Sequence, residues 1–390
     1  MDRDQAIKLV HYLLTQMRQR EASDLLVTAG FPPAFKVHGE VTSVTDKVLT
    51  SEDTAVIVRS LMNDRLVKEF EANNECQFAI APPGIGRFRC SAFIQQGAVA
   101  CVLRSIESRI PTFEQLNLPN RIAEIVMHKR GLVLLVGATG SGKSNTLAAM
   151  VGYRNGNAHD HIITIEDPIE FVHVHRSSIV NQREIGLDTM NWENALKNTL
   201  RQAPDVIQIG EIRTRETMEY AIRFAETGHL VLSTLHANNS NQALGRIIDF
   251  FPAEHRPQLL LDLSLNLRAI ISQRLVPRED GSGRVPAVEI MLASGLISDL
   301  ISKGELAEIK EVMSRSAELG MVTFDQSLFQ LFETGLITYE DAIKNADSQN
   351  ELRLRIKLDS KRSKRNLMDD EFVKGLTVEK KEDSGQMVRR

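Results

Sequence analysis

Short, unbroken runs of apolar residues alternate with helical patterns along the second half of the chain. The runs cover residues 132–136, 162–166, 205–211 and 230–235, and each is typical of a buried strand. A helical pattern follows the first run, at residues 145–153. Strands that alternate with helices favour a parallel sheet covered on both faces. The pattern therefore predicts a three-layer α/β domain over residues 121–352.

The first 108 residues show a mixed pattern instead. The predicted elements are a helix near residues 3–20, strands near 23–27 and 34–41, one long helix over 50–73 with Ser51 as its N-cap, and alternating runs at 76–79, 86–95 and 98–106. This part is predicted to be a small α+β domain over residues 1–108. A linker is expected at residues 109–120. Residues 353–390 are charge-dense with little apolar content to bury, so a disordered tail is expected there.

Composition narrows the classes of function. The chain has 390 residues, enough for two domains, and carries a net charge of −4 with one Trp and four Tyr. These values argue against a broad nucleic-acid groove, so no nucleic-acid partner is expected. Cys76, Cys90 and Cys101 lie outside any zinc-binding spacing and are expected to be reduced thiols of a cytosolic protein. No run is long and apolar enough to predict a membrane span.

The most informative motif is a glycine-rich loop between the first strand and the first helix of the larger domain. Residues 137–144 fit the phosphate-loop pattern G-x-x-x-x-G-K-[ST]. Glycines let backbone N–H groups curve around an anion, Lys143 would reach the β- and γ-phosphates, and the Ser144 hydroxyl would hold Mg²⁺. ATP and Mg²⁺ are therefore the expected ligands. The predicted nucleotide-binding residues are Gly137, Thr139, Gly140, Ser141, Gly142, Lys143, Ser144 and Asn145.

Hydrolysis also requires a carboxylate that activates water, and two strand ends supply one. Glu166 and Glu211 each end an apolar run, and the carboxyl ends of parallel strands meet at one edge of a sheet. The alternative is that both are solvated loop charges. His229 and His236 bracket the fourth run, where either a structural role or a role near the γ-phosphate fits. Of the two, His229 joins the glutamates in the predicted catalytic set.

Several motifs occur together in the order found in one protein superfamily. They are the phosphate loop and residues 165–171, 200–205, 210–213 and 225–236. They resemble the Walker A, aspartate-box, Walker B and histidine-box motifs of the secretion ATPases. Within that superfamily the chain resembles the type IV pilus retraction ATPases, the PilT/PilU family, over roughly residues 1–350. Residues 214–217 and the long charged tail resemble the PilU branch of that family.

This resemblance implies a fold and a mechanism. Members combine a PAS-like N-terminal domain with a RecA-like ATPase domain and assemble as hexameric rings. Glu211 would be the Walker B acid that orients water and Mg²⁺, and Glu166 would share in activating water. The implied function is a cytoplasmic, Mg²⁺-dependent ATP hydrolase that powers pilus retraction and twitching motility. The implied partners are a PilT-type retraction ATPase and an inner-membrane pilus platform protein, with the motor peripherally associated with the inner membrane at the pilus base.

Arginines of the N-terminal domain complete the ATP site in this family, and the strand pattern indicates which ones. If a two-residue hairpin turns at Gln96 and Gly97, Arg89 lies directly opposite Arg104. Opposed like charges are destabilising without an anion nearby, and a triphosphate would be that anion. The alternative is that both arginines are solvated or paired with acids. Arg87 lies on the same face and is the reserve candidate.

Two alternative functions remain open. A pilus-extension or type II secretion ATPase is disfavoured because such members typically carry a tetracysteine zinc insertion, which this sequence lacks. An ATP-binding scaffold that stacks on a true motor and hydrolyses little is the other alternative. Residues 295–301 depart from a PilT helix tied to retraction, since Ser298 and Asp299 replace its arginine and asparagine. An accessory motor of the PilU kind is therefore expected.

Overall fold

The N-terminal domain is α+β, as the sequence predicts. The computed structural model describes residues 1–37, 39–106 and 109–363. The elements of this domain are α1 (Arg3–Gln19), β1 (Asp24–Val27), β2 (Ala34–Val37), β3 (Glu40–Ser43), α2 (Ser51–Ser60), α3 (Asp64–Asn73), β4 (Glu75–Ile80), β5 (Arg87–Gln95) and β6 (Ala98–Ile106). The strands form an antiparallel sheet in the order β3-β2-β1-β6-β5-β4. Leu13, Ile57 and Leu103 belong to the apolar core between the helices and this sheet.

Two predicted elements of this domain are split in the structure. The long helix predicted from Thr50 onward is α2 and α3, because the Asn63 side chain caps a second helix. The N-cap of α2 is Thr50 and not Ser51, since Thr50 and the third helical residue form a capping box. The strand predicted over residues 34–41 is β2 and β3, which turn at Gly39 with a φ of +90°.

Strands β5 and β6 form the hairpin that the sequence predicts. Gln96 and Gly97 have φ angles of 49° and 75°, and a type I′ turn requires positive φ at both positions. Arg89 lies directly opposite Arg104 in this register. The predicted pairing is therefore confirmed, and it fixes where the arginine side chains leave the sheet.

The second domain is the predicted three-layer α/β structure. Its elements are α4 (Arg121–Val126), β7 (Gly131–Val136), α5 (Lys143–Asn157), β8 (His161–Glu166), β9 (Ile179–Glu184), α6 (Trp192–Thr199), β10 (Val206–Ile209), α7 (Arg215–Glu226), β11 (Leu230–Leu235), α8 (Ser240–Asp249), α9 (Arg256–Asn266), β12 (Leu267–Pro277), β13 (Arg284–Leu292), α10 (Gly295–Lys303), α11 (Ile309–Arg315), α12 (Phe324–Glu333), α13 (Tyr339–Asn345) and α14 (Gln349–Asp359). The strand order is β13-β12-β7-β11-β10-β8-β9, and β13 alone of these strands runs antiparallel to its neighbour.

Both faces of this sheet are covered by helices. Side chains of β7 alternate between two apolar cores, with Leu132 and Leu134 in one and Val133 and Leu135 in the other. A strand buried on both faces needs apolar residues at every position, which explains the unbroken run in the sequence. The carboxyl ends of β7, β8, β10 and β11 consequently lie side by side at one edge of the sheet.

The predicted disordered tail starts too early. Helix α14 continues past residue 353, because Ile356 is buried in the apolar core that α12 and α13 also form. Arg362 then pairs with Glu279, with 2.6 Å between Nη2 and Oε1. The rest of the predicted tail, residues 364–390, lies outside the described residues. The domain boundaries at residues 108 and 120 stay predictions.

Helix lengths and hydropathy also bear on membrane association. Among the described residues, every helix is too short or too polar to cross a bilayer.

Candidate functional site

The loop between β7 and α5 has the backbone shape that its glycines allow. Gly137 and Gly142 have φ angles of +158° and +87°. A Cβ at Gly137 would lie 2.4 Å from the Ser141 Oγ, and one at Gly142 would lie 2.7 Å from the Gln273 Nε2. Larger residues are therefore excluded at both positions. These two glycines shape the loop, as the sequence predicts for a phosphate-binding turn.

Polar groups of the loop fit an anion. The Lys143 Nζ donates hydrogen bonds to the carbonyls of Gly137 and Ala138, at 2.8 and 2.9 Å, so its charge is held above the turn. Burial lowers the pKa of Lys143 from its usual value. The buried Ser141 Oγ finds no hydrogen-bond partner among the described residues. A phosphate bound at the α5 N-terminus would satisfy such donors, because the helix dipole and free N–H groups point at that position.

A glutamine from β12 holds this loop in place. The buried Gln273 side chain donates to the Ser141 carbonyl at 2.8 Å and accepts from the Thr146 hydroxyl at 2.7 Å. One amide thus joins the loop to α5 and to the neighbouring strand. Sequence reasoning missed Gln273, because no motif marks it and its partners lie more than a hundred positions earlier in the chain.

The first predicted acid, Glu166, is buried at the carboxyl end of β8. Its Oε1 accepts hydrogen bonds from the Thr164 hydroxyl at 2.6 Å and from the Gln182 amide at 3.1 Å. Burial raises the pKa of Glu166 from 4.5 to about 7, and this desolvation outweighs the two hydrogen bonds. A carboxylate with a pKa near the working pH is suited to act as a general base.

The second predicted acid, Glu211, follows the adjacent strand β10. Its Oε2 pairs with Arg213 at 2.7 Å, and its Oε1 contacts the His236 Nε2 at 2.9 Å. The pairing with Glu211 raises the pKa of Arg213. Both oxygens of this carboxylate are therefore engaged by neighbouring side chains.

Of the two histidines that bracket β11, the structure brings His236 to the site and leaves His229 away from it. β11 runs parallel to β7, with Leu230 opposite Gly131. His229 consequently lies at the amino ends of the strands, where its Nδ1 contacts the Phe224 carbonyl at 3.1 Å. The prediction of His229 as a catalytic residue is thus not supported by its position. The direction of the strand, which the parallel pattern implied, would have favoured His236.

The predicted arginines lie outside the cavity lining within this chain. The Arg104 Nε pairs with Asp24 at 2.8 Å, and Arg89 donates to the Gln77 side chain at 3.0 Å. Arg104 thus has the acidic partner of the alternative left open by the sequence, whereas the partner of Arg89 is a neutral amide. The reserve candidate, Arg87, pairs across the domains with Glu184 of β9 at 3.0 Å.

A cavity of about 400 Å³ opens at the carboxyl edge of the sheet and combines most of these groups. The predicted residues that line it are Thr139, Gly140, Lys143, Ser144, Glu166 and Glu211. Asn145 is exposed on α5 and lies outside this lining. Ser144 and Glu211 offer the hydroxyl and carboxylate oxygens that Mg²⁺ prefers. The described residues contain no cluster of three metal-ligating side chains, but Mg²⁺ beside phosphates commonly takes only one or two protein carboxylates.

Comparisons with known proteins agree with this geometry. Residues 2–318 match the family model of the type II/IV secretion system proteins. Over 367 residues the chain is 56% identical to the type IV pilus ATPase PilU of Pseudomonas aeruginosa. This alignment covers 94% of this chain and 96% of that protein. It is 41% identical over 334 residues to the type IV pilus retraction ATPase PilT of the same organism, covering 86% and 97%.

Solved structures give the same picture. The chain matches a crystal structure of the pilus retraction motor PilT with bound ADP at a TM-score of 0.82 and 41% identity, over 88% of this chain and 98% of that one. It also matches the ATPase DotB of Legionella pneumophila at a TM-score of 0.75 and 27% identity, over 86% and 94%.

Proposed function

The chain belongs to the type IV pilus retraction ATPases of the type II/IV secretion family, and we propose that it hydrolyses ATP with Mg²⁺ in the cavity described above. The observation that carries this proposal is the convergence of Lys143, Glu166 and Glu211 on one cavity at the carboxyl edge of the sheet. A phosphate-holding lysine and two strand-end acids are the groups that phosphoryl transfer to water requires. The ADP bound to the PilT structure supports nucleotide binding.

Each residue has a defined part in the proposed reaction. Lys143 holds the β- and γ-phosphates, and Ser144 and Glu211 would hold Mg²⁺. Bound there, Mg²⁺ would supply charge neutralisation at the phosphates. Glu166 accepts a proton from the attacking water, because burial has already raised its pKa to about 7. His236 contacts Glu211 and keeps that carboxylate at the strand edge.

The proposed site is completed by assembly. We propose a homohexamer in which Arg89 and Arg104 reach the nucleotide of a neighbouring subunit. The exposed fraction of the Arg104 side chain, 67%, leaves it accessible to such a neighbour. An arginine placed at the transferred phosphate stabilises charge in the transition state. The proposed location is the cytoplasmic face of the inner membrane at the pilus base, beside the platform protein.

An accessory role beside a PilT-type motor is the proposed mode of action. The high identity to PilU supports it, as does the replacement in α10 of the residues tied to retraction in PilT by Ser298 and Asp299. The scaffold alternative differs in one testable respect, because a scaffold would not require the Glu211 carboxylate.

The test measures ATP turnover by the purified protein, alone and with a PilT-type partner, together with pilus retraction in cells that lack one or both proteins. We expect turnover that depends on Mg²⁺, and retraction that requires the PilT-type partner but becomes stronger when this protein is present. Retraction that is unchanged by this protein would refute the accessory motor. Glu211→Gln that supports retraction as well as the unmodified protein would establish the scaffold instead.

A further inference from the structure

His173 forms part of the wall between two cavities. It lies on the segment that joins β8 to β9, and only 8% of the residue is exposed. One cavity is the phosphate-loop cavity. The other, of about 610 Å³, lies between α5 and the segment of residues 109–115, and we call it the linker cavity. The backbone N–H of His173 donates to the Gln182 side chain at 2.7 Å, which fixes the position of the residue.

The imidazole of His173 offers hydrogen-bonding capacity that the protein does not use. Its buried Nδ1 has no hydrogen-bond partner among the described residues. Burial lowers the pKa of His173 to about 4, with a smaller contribution from Arg176, so the ring is neutral at physiological pH. A neutral imidazole presents one donor and one acceptor. An unpaired buried polar atom costs free energy unless a ligand or water satisfies it.

Helix α5 extends along both cavities. The phosphate-loop cavity is lined by Lys143 at the helix N-terminus and, one turn further along, by Leu147 and Ala148. The linker cavity is lined by later residues of the same helix, including Tyr153. His173 lines both cavities beside apolar surface that suits a nucleoside, and the Gln182 side chain contacts both its backbone N–H and Glu166.

We propose that His173 forms a hydrogen bond with the nucleoside half of ATP, through its sugar or its base, and is a specificity-determining residue of this site. The inference rests on the proposed ATPase function. It concerns binding of the nucleoside, because the Lys143 loop is proposed to hold the phosphates.

The experiment compares ATP with inorganic tripolyphosphate, which has the phosphates of ATP but lacks the nucleoside. His173→Phe keeps a ring of similar size and removes both nitrogens. His173→Asn keeps a polar group near the position of Nδ1. The control is His11→Phe, which changes an exposed histidine of α1. For each variant the KM for ATP is measured with the inhibition constant of tripolyphosphate.

We expect His173→Phe to raise the KM for ATP about tenfold, the usual effect of losing one buried hydrogen bond. The inhibition constant of tripolyphosphate should change less than about twofold on the same reasoning. His173→Asn should recover part of the loss. If 2′-deoxy-ATP binding is unaffected by His173→Phe, the contact is to the ribose 2′-hydroxyl. If ATP and 2′-deoxy-ATP weaken alike, the contact is elsewhere on the nucleoside.

An unchanged KM for ATP in His173→Phe would overturn the inference, as would an equal loss for ATP and tripolyphosphate, which would make His173 a residue of the fold. Failure of the proposed function is a different result. In that case the unmodified protein would show no Mg²⁺-dependent ATP turnover.

Discussion

Glu166 illustrates how a catalytic requirement opposes stability. Its pKa lies at about 7 in the folded protein against an ordinary value of 4.5, because burial disfavours the ionised form. Between pH 4.5 and pH 7, Glu166 is therefore mostly protonated in the folded state and mostly ionised in the unfolded state. It follows that the contribution of Glu166 to stability falls as pH rises from about 4.5 to about 7 and is constant above that range. Each pKa unit corresponds to about 1.4 kcal/mol, so the ionised form costs about 3 kcal/mol at pH 8.

Glu166→Gln should remove this cost while preserving the local contacts. The Gln side chain retains an oxygen that accepts from Thr164 and Gln182, as the Glu166 Oε1 does. We expect the variant to be more stable than the unmodified protein by about 2–3 kcal/mol at pH 8, slightly less than the full value because hydrogen bonds to a charged acceptor are the stronger ones. We also expect it to hydrolyse ATP roughly 10²–10⁴-fold more slowly.

Denaturant unfolding of the nucleotide-free proteins at pH 8, 7, 6 and 5 is the assay. The stability difference should decrease steadily as pH falls toward 5, where the folded form of the unmodified protein is already protonated. A matched change, Glu193→Gln, alters an exposed acid of α6 whose carboxylate is not desolvated by folding, so no such gain is expected. A Glu166→Gln variant that is less stable at pH 8, or a difference that does not depend on pH, would refute this reasoning.

Three further predictions concern the other parts of the site. Glu211→Gln should retain ATP binding, measured by equilibrium titration, and reduce turnover by roughly 10²–10⁴, because Lys143 still holds the phosphates while the carboxylate that orients Mg²⁺ and water is lost. Loss of ATP binding would instead mean that nucleotide binding itself depends on Glu211. Arg89→Ala and Arg104→Ala should each leave the assembly unchanged in analytical ultracentrifugation. Each should lower turnover more than ATP affinity, because the lost interaction is made in the transition state. Normal turnover in both variants would require another arginine, and Arg87 would be the next to test. Gln273→Leu should raise the KM for ATP about ten- to hundredfold, since it leaves buried groups of the loop and α5 unpaired, and an unaltered KM would exclude the proposed clamp.

The local parts of this site were predictable from the sequence. The phosphate loop follows from residues 137–144 alone, because a glycine turn, a lysine and a hydroxyl must be adjacent to hold phosphates. Glu166 and Glu211 were predictable because parallel strands place their carboxyl ends at one edge. The opposition of Arg89 and Arg104 followed from counting back from a two-residue turn. In each case the chemistry depends on residues that are close in sequence or related by a simple register.

The remaining features depend on contacts that the sequence does not encode locally. Gln273 reaches the phosphate loop only because β12 lies beside β7, and nothing in the sequence of β12 indicates that pairing. Asp24 lies beside Arg104 only because β1 pairs with β6, and the local sequence does not indicate that pairing. The start of the predicted tail was wrong for a different reason. Helix α14 buries Leu352 and Ile356, one turn apart among many charged residues, and only tertiary packing makes that pair sufficient to hold the helix.

The central claim is that the cavity holding Lys143, Glu166 and Glu211 binds and hydrolyses ATP, and Lys143→Ala tests it most directly. ATP turnover of the variant and of the unmodified protein is measured with Mg²⁺ at matched concentration, and circular dichroism checks that the variant is folded. The account predicts a folded protein with turnover nearly abolished, because the cation that holds the β- and γ-phosphates is gone. Turnover at the level of the unmodified protein would contradict it.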